Sequence, residues 1–460
     1  MTRATGEKNA APATLNALSA SAAAAAIVSG ESTSVALVEA CLDRIESKDA
    51  LVSAWVFVDA ELALAQARDA DAVSGAGKPV GPLHGVPVGI KDIFDTADMP
   101  TECGSDLYRN RQPHQDAEAV SLLRSAGAII LGKTVTAELA LSAPGATANP
   151  LDLRRTPGGS SSGSAAAVAD FMVPLAVGSQ TVGSVIRPAS FCGIVGFKPS
   201  FGAIPTGGMH LLAQHLDHVG VFARDLADIS VMANALMPAR AEAPDTRNAS
   251  HAGKPLRIGL VRAPVWSEAS ADARCRFDTW AEDLDMHDCA DLGDTFHDAV
   301  ACQRLILDAS LATNLGSAYE SRPEALRAVT RDRVRAGLTI DPSAVNRALA
   351  RVEEQKQHLR QLFQDYDALL TLAAPGEAPV GSSSTGNAVF SAIWTLMGVP
   401  AVTLPMLEGE NGMPIGVQVI GARGADAKLL ADAARILSMS STGMPDGDDA
   451  PVDVAGNYRD

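Results

Sequence analysis

The chain has 460 residues, 47% of them hydrophobic, with a formal net charge of −17 and a sequence pI near 4.9. That length can bury a large core, and the acidic balance opposes an electrostatic grip on phosphate backbones or anionic membrane, so neither nucleic acid nor a membrane surface is an expected partner. No apolar stretch approaches the roughly 20 residues a membrane helix needs, and six scattered cysteines (Cys41, Cys103, Cys192, Cys275, Cys289 and Cys302) without a CxxC pair fit a reducing cytosol and a cytoplasmic protein.

Arg3 and Lys8 ahead of the apolar run 22–28 imitate a secretory signal, but Glu7 and the continuation into Ser29 and Glu31 speak against one. Residues 1–30 are therefore expected to form a leader with helical character. A single domain over 31–440 follows, then a flexible acidic tail over 441–460 where Gly, Asp and Pro accumulate. Val35, Leu37, Val38, Cys41, Leu42 and Ile45 recur at helical spacing, with Ser32 or Ser34 as the cap. A second helix is expected over 61–72, then a buried strand in the apolar run that ends at Lys91. After it come a helix over 117–126, a strand over 128–132 and a helix from about Val135 to Leu141. This alternation predicts an α/β fold, a sheet covered by helices.

Residues 143–210 break the rhythm: they are dense in Gly, Ser, Thr and Ala and sparse in charge. Val, Leu, Ile, Phe and Pro are interleaved throughout, which argues against a flexible linker and for a tightly packed centre where small side chains let backbones approach one another. Beyond it, "LRIGLV" from 256 predicts a strand. The stretch 268–365 is helical and charged, with its clearest helix in "AVNRALARVEEQKQHLRQLFQDYDALL". Strand-like "ALLTLAA", 398–404 and 415–421 return to the core, and "DAKLLADAARIL" closes as a helix.

Three segments carry chemistry: "GVPVGIKD" at 85–92, "TPGGSSSGSAAAVA" at 156–169 and "GSQTVGSVIRPASFCGIVGFKPS" at 178–200. In this order and at these separations, with 69 residues from Lys91 to Ser160 and 24 from Ser160 to Ser184, they resemble the amidase signature family. "NP" at 149–150, "HLDHVG" at 215–220, "TGN" at 385–387, "GVPAVTLP" at 398–405 and "GMPIGVQVIG" at 412–421 look like later landmarks of the same family. The resemblance spans about 30–440 and is least specific over 240–365. It implies a mixed, twisted central β-sheet surrounded by α-helices, with the 268–365 stretch as a helical flap over the site, and a homodimer.

A serine hydroxyl attacks well only when a base takes its proton, and the resemblance assigns the nucleophile to Ser184, the relay to Ser160 and the base to Lys91. A lysine becomes a base at neutral pH only if burial lowers its pKa by about 3 units, a differential cost on the order of 4 kcal/mol. Val86, Pro87, Val88 and Ile90 supply apolar surroundings. The resemblance also implies a cis peptide at Gly159–Ser160 and an oxyanion hole in the backbone N–H groups of Thr181, Val182, Gly183 and Ser184. An acyl-enzyme on Ser184 then gives an acid plus ammonia or an amine, with no metal or cofactor required.

Three positions depart from the commoner family form. Gln180 stands where Asp is usual, Val182 where Gly is usual, and the arginine normally two residues after the nucleophile has moved from 186, here Ile186, to Arg187. This "GSVIRP" form resembles a malonamidase-like branch, in which the shifted arginine holds a substrate carboxylate. Arg187 is then a substrate-binding residue whose fork fits a carboxylate, or else a structural arginine satisfying backbone carbonyls near Pro188. Thr385 either lines the acyl pocket or caps its loop, and Asp92 is expected to be a structural hydrogen-bond acceptor. His210, His215 and His218 are spaced like loose metal ligands, but the landmark at 215–220 accounts for two of them without a metal. Cys192 reads as a buried small hydrophobe. The alternatives to a small-molecule amidase are the amidase subunit of a tRNA-dependent amidotransferase and a non-catalytic protein of the same fold.

Overall fold

The computed structural model describes residues 14–78, 80–237, 255–262 and 264–442. The first 13 residues of the leader and the acidic tail from 443 onward lie outside the described residues. Ten strands form one mixed sheet. In chain order they are β1 (Trp55–Val58), β2 (Pro87–Lys91), β3 (Ile129–Thr134), β4 (Leu175–Gln180), β5 (Val195–Lys198), β6 (His218–Ala223), β7 (Ile258–Leu260), β8 (Ala368–Leu372), β9 (Ala401–Glu408) and β10 (Pro414–Ile420). Across the sheet the order is β1-β3-β2-β4-β6-β5-β9-β10-β8-β7. β2 runs parallel to both β3 and β4, and β4 then pairs antiparallel with β6.

Helices cover both faces, and the strands show why. Alternate residues of a strand point to opposite sides, so Val88, Ile90, Leu175 and Val177 enter one core while Ile129, Leu131 and Ala176 enter another. The second core is closed by helices Ser34–Val52 and Ser162–Ala169, the latter built from Ser, Gly and Ala with a single Val and buried at every position. The small-residue centre is therefore packed interior, as its composition predicts.

Several boundaries differ from the sequence expectation for identifiable reasons. The cap of helix Ser34–Val52 is Thr33, whose Oγ1 accepts from the Ala36 N–H at 3.0 Å, while the Ser34 and Val35 N–H groups donate to the Asp71 carboxylate. The helix expected from Val135 to Leu141 is only a short 3-10 turn, Glu138–Ala140. There the Ala137 N–H donates to Ser160 O at 3.1 Å and the Leu139 N–H to Cys103 O at 2.8 Å. Leu139 and Ala140 take left-handed φ values of 52° and 62°. Backbone donors that a helix would pair internally instead hold neighbouring segments, at a conformational cost. The leader is helical over Ala20–Ser29, and helix Asp426–Thr442 runs two residues into the expected tail. No helix among the described residues is long and apolar enough to cross a membrane.

Candidate active site

Because β2 and β4 are parallel neighbours, with Ile90 opposite Val177, their carboxyl ends emerge side by side. Ligands of α/β sheets gather at such ends. Lys91 is the last residue of β2, and the turn Thr181–Val182–Gly183–Ser184 follows β4 before helix Ile186–Phe191. The segment 156–161, entering helix Ser162–Ala169, brings Ser160 between them. Lys91 Nζ lies 2.7 Å from Ser160 Oγ and 2.8 Å from Ser179 Oγ, and the Ser160 N–H donates to Ser184 Oγ at 3.1 Å. Lys91 is fully buried, Ser160 1% exposed and Ser184 6% exposed. Burial pulls the Lys91 ammonium down to about 7 from its ordinary 10.5, against the opposing pull of the Asp217 carboxylate. The three residues singled out from the sequence thus meet at Ser160, Lys91 on its hydroxyl and Ser184 on its backbone N–H.

The turn after β4 leaves donors free. The N–H groups of Val182, Gly183 and Ser184 reach no acceptor among the described residues, although Gly183 and Ser184 are buried. Buried orphan N–H groups are rare and call for a ligand. Gln180 explains how the turn keeps its shape. Its Oε1 accepts from the Val185 and Ile186 N–H groups at 2.8 and 3.0 Å, and its Nε2 donates to Thr395 Oγ1, which donates back to Val182 O at 2.7 Å. An aspartate could supply the acceptors of this clamp but not the amide donor. Sequence reading saw Gln180 only as a departure from the family form and missed Ser179, Thr395 and Gln303, whose Nε2 donates to Thr181 O at 3.2 Å from helix Ala299–Ser321. That contact joins the 268–365 stretch to the turn. Ser179 had a local signal, two residues before Thr181 on the strand that flanks Lys91.

Arg187 is 5% exposed, and burial lowers its guanidinium to about 10. It donates to Gly386 O and, at 3.4 Å, to Thr385 Oγ1, while its Nε is buried without a hydrogen-bond partner. No carboxylate among the described residues forms an ion pair with it. Thr385 ties this group to the Ser160 segment, since its carbonyl accepts from the Gly159 N–H at 3.2 Å. Arg187 and Thr385 are therefore brought beside the Ser160 segment, with the guanidinium Nε left without a partner.

The other candidates have structural partners. Asp92 pairs with the buried Lys133 at 3.1 Å and accepts from the Glu102 N–H. His218 Nδ1 bonds Leu216 O, and the His210 ring packs edge-on against Tyr108. Among the described residues no group of three or more His, Cys, Asp and Glu side chains is arranged to hold a metal ion. Cys192 is buried, its thiol pushed well up by desolvation.

Gly159 has φ +65°, and a Cβ there would stand 2.8 Å from Pro188 Cδ and 3.1 Å from Ser184 Cα. Gly159→Ala is expected to cost roughly 1–3 kcal/mol in stability. Because the displaced turn carries Ser160, kcat should also fall more than tenfold. Thermal melting and amide hydrolysis together check this; a variant with wild-type values for both would remove the close approach as a constraint.

Comparison with known proteins places the chain. The amidase family model matches residues 36–430. A glutamyl-tRNA(Gln) amidotransferase subunit of Oleidesulfovibrio alaskensis is 32% identical over 475 aligned residues, covering 89% of this chain and 94% of that one. The same-named subunit of Acidothermus cellulolyticus is 44% identical over 255 residues, 52% of this chain and 50% of that protein, so the chain spans about half the length of this relative. A crystal structure of an amidase superposes with a TM-score of 0.81 at 28% identity, covering 92% of this chain and 99% of that one. A match over most of the chain, a full-length relative and a shared fold lead to one statement: this chain belongs to the amidase signature family.

Proposed function

We propose that this protein hydrolyses the C–N bond of a small amide through an acyl-enzyme on Ser184, and that Arg187 favours amides bearing a carboxylate, such as malonamate. The buried line Lys91–Ser160–Ser184 carries the first part of this reading. Ser184 Oγ attacks the carbonyl carbon as its proton passes to Ser160 and from Ser160 to neutral Lys91. The carbonyl oxygen, now an oxyanion, takes hydrogen bonds from the free N–H groups of the turn, each typically contributing roughly 3 kcal/mol in the transition state. The C–N bond breaks as the proton returns through Ser160 to the leaving nitrogen, and water then releases the acid by the reverse relay.

Carboxylate preference is supported by a buried guanidinium that lacks an ion-pair partner among the described residues and has an unsatisfied Nε. A substrate carboxylate would supply the missing charge through a forked pair of hydrogen bonds. The expected result is faster ammonia release from malonamate than from propionamide. Arg187→Ala should lower kcat/KM for malonamate by about 100-fold while changing propionamide less than threefold, since a charge-assisted pair is worth roughly 1.5–3 kcal/mol. Equal losses on both amides would make Arg187 a structural residue holding Gly386 and Thr385.

A second reading, the amidase subunit of a tRNA-dependent amidotransferase, is supported by the relatives that carry an amidotransferase name. It predicts an isolated chain inert across acidic, neutral, aromatic and ureido amides, with activity regained only beside its partner proteins. The small-amide reading predicts turnover by the chain alone, as the homodimer implied by the family resemblance.

A further inference from the structure

We propose that Asp217 and Thr181 form a positioning pair, which fixes the leading residue of the oxyanion turn and keeps a carboxylate, ionised at neutral pH, acting on Lys91. The proposal rests on the amidase reading of Ser184, Ser160 and Lys91. The ladder between β4 and β6 ends with Gln180 opposite His218. One step further along the same antiparallel register stand Thr181 and Asp217, and their side chains meet there: Thr181 Oγ1 donates to Asp217 Oδ1 at 2.6 Å. The other carboxylate oxygen accepts the N–H groups of Leu212 and Ala213 at 2.7 and 2.9 Å. Asp217 is 5% exposed and forms no ion pair within 4.0 Å among the described residues; burial pushes its carboxyl up to about 6, against the pull of these three hydrogen bonds, so it is still mostly ionised at pH 7.

This arrangement closes a clamp whose other half is Gln180. Gln180 holds the far end of the turn through the Val185 and Ile186 N–H groups. Thr181 holds the near end, and between them lie the three N–H groups left free for an oxyanion. A turn tied at one end only would let those donors wander, and a misplacement of about 1 Å costs on the order of 100-fold in rate. The charge has a second effect, because Asp217 favours the protonated form of Lys91 and opposes the burial that pulls it down. Three other buried groups nearby are neutral near pH 7, while the charged neighbours are paired, Asp92 with Lys133 and Asp95 with Arg111. Burial pushes the Cys103 thiol up to about 12, His210 lies near 4, and His218 is held well below its usual range. Lys198 and Arg423 act on His218 rather than on Asp217.

The test compares Thr181→Val, Thr181→Ser and Asp217→Asn with wild type and Ser184→Ala, in the full chain. Its readouts are ammonia release from malonamate and propionamide, the rate of covalent labelling by a fluorophosphonate, and melting temperature. Thr181→Val keeps side-chain shape but loses the hydroxyl. It should lower kcat and the labelling rate by about 10–100-fold with KM within threefold, and Thr181→Ser should restore both to within about threefold. Asp217→Asn should move the acid limb of the pH profile to lower pH, because a protonated Lys91 loses its anion. Thr181→Val leaves the carboxylate and its two backbone donors in place and carries the test by itself if Asp217→Asn does not fold. Wild-type kcat and labelling in Thr181→Val, or an unmoved acid limb in a folded Asp217→Asn, would overturn the pair. Should Ser184→Ala stay active, the amidase reading itself fails; if Ser184→Ala is inert and Thr181→Val unaffected, only the pair fails.

Discussion

Ser184→Ala is expected to lower kcat for amide hydrolysis by a factor on the order of 10⁵ and to abolish labelling by a fluorophosphonate. The size follows from what remains. On the proposed reading the free N–H groups of the turn and Arg187 would still hold the amide, but water would have to attack without a covalent intermediate. The loss should be chemical rather than structural. Ser184 Oγ accepts one hydrogen bond from the Ser160 N–H, so its removal should cost about 1 kcal/mol of stability and shift melting by a few degrees at most. A purified variant that keeps more than about a tenth of wild-type turnover would exclude Ser184 as nucleophile. A variant that loses activity together with its melting transition would say nothing of chemistry, and Ser184→Cys then serves, since a thiol preserves the volume and changes the nucleophile.

Lys91, Ser160 and Ser184 could be singled out because the order and spacing of their motifs resemble the amidase signature, and the fold brings them together. Lys91 ends a strand, Ser160 enters a helix of small residues, and Ser184 follows the neighbouring strand. Most long helices were legible as well, since their apolar spacing is local. The sheet order was not: β6 lies between β4 and β5, and β9 pairs with β5 from more than 200 residues away, joined by contacts no local pattern records. The same limit hid the second layer of the site. Thr395 reaches Gln180 across 215 residues and Gln303 reaches Thr181 across 122. A hydroxyl or amide carries no periodicity that would reveal its partner. Where local propensity did mislead, at Val135 to Leu141, the backbone gives up helix to hold Ser160 and takes two left-handed residues as a consequence. Local rules fail there because tertiary hydrogen bonds to Ser160 and Cys103 win over helix propensity.

Lys91→Met should reduce kcat/KM by a factor on the order of 10⁴ and erase a specific feature of the pH profile. In the proposed mechanism Lys91 is the base and must be neutral to act. Activity should therefore rise about tenfold per pH unit below the Lys91 value, about 7, and level off above it. The same residue makes a second prediction that does not pass through catalysis. Its folded value lies below the ordinary 10.5, so between those limits the unfolded chain binds a proton that the folded chain has given up, and stability rises with pH across the window. Below about 7 both states carry the proton and above 10.5 neither does, so the effect is confined to that range. Over three pH units it amounts to roughly 4 kcal/mol. Lys133 and Lys198 are buried too, and both are also pulled down by desolvation, but they remain in the variant. The difference between wild type and Lys91→Met thus isolates Lys91. Denaturant unfolding at pH 7 and pH 10 should show wild type gaining stability relative to the variant as pH rises. A constant difference between the two proteins, with an acid limb that survives in Lys91→Met, would mean that the proton of Ser184 goes elsewhere.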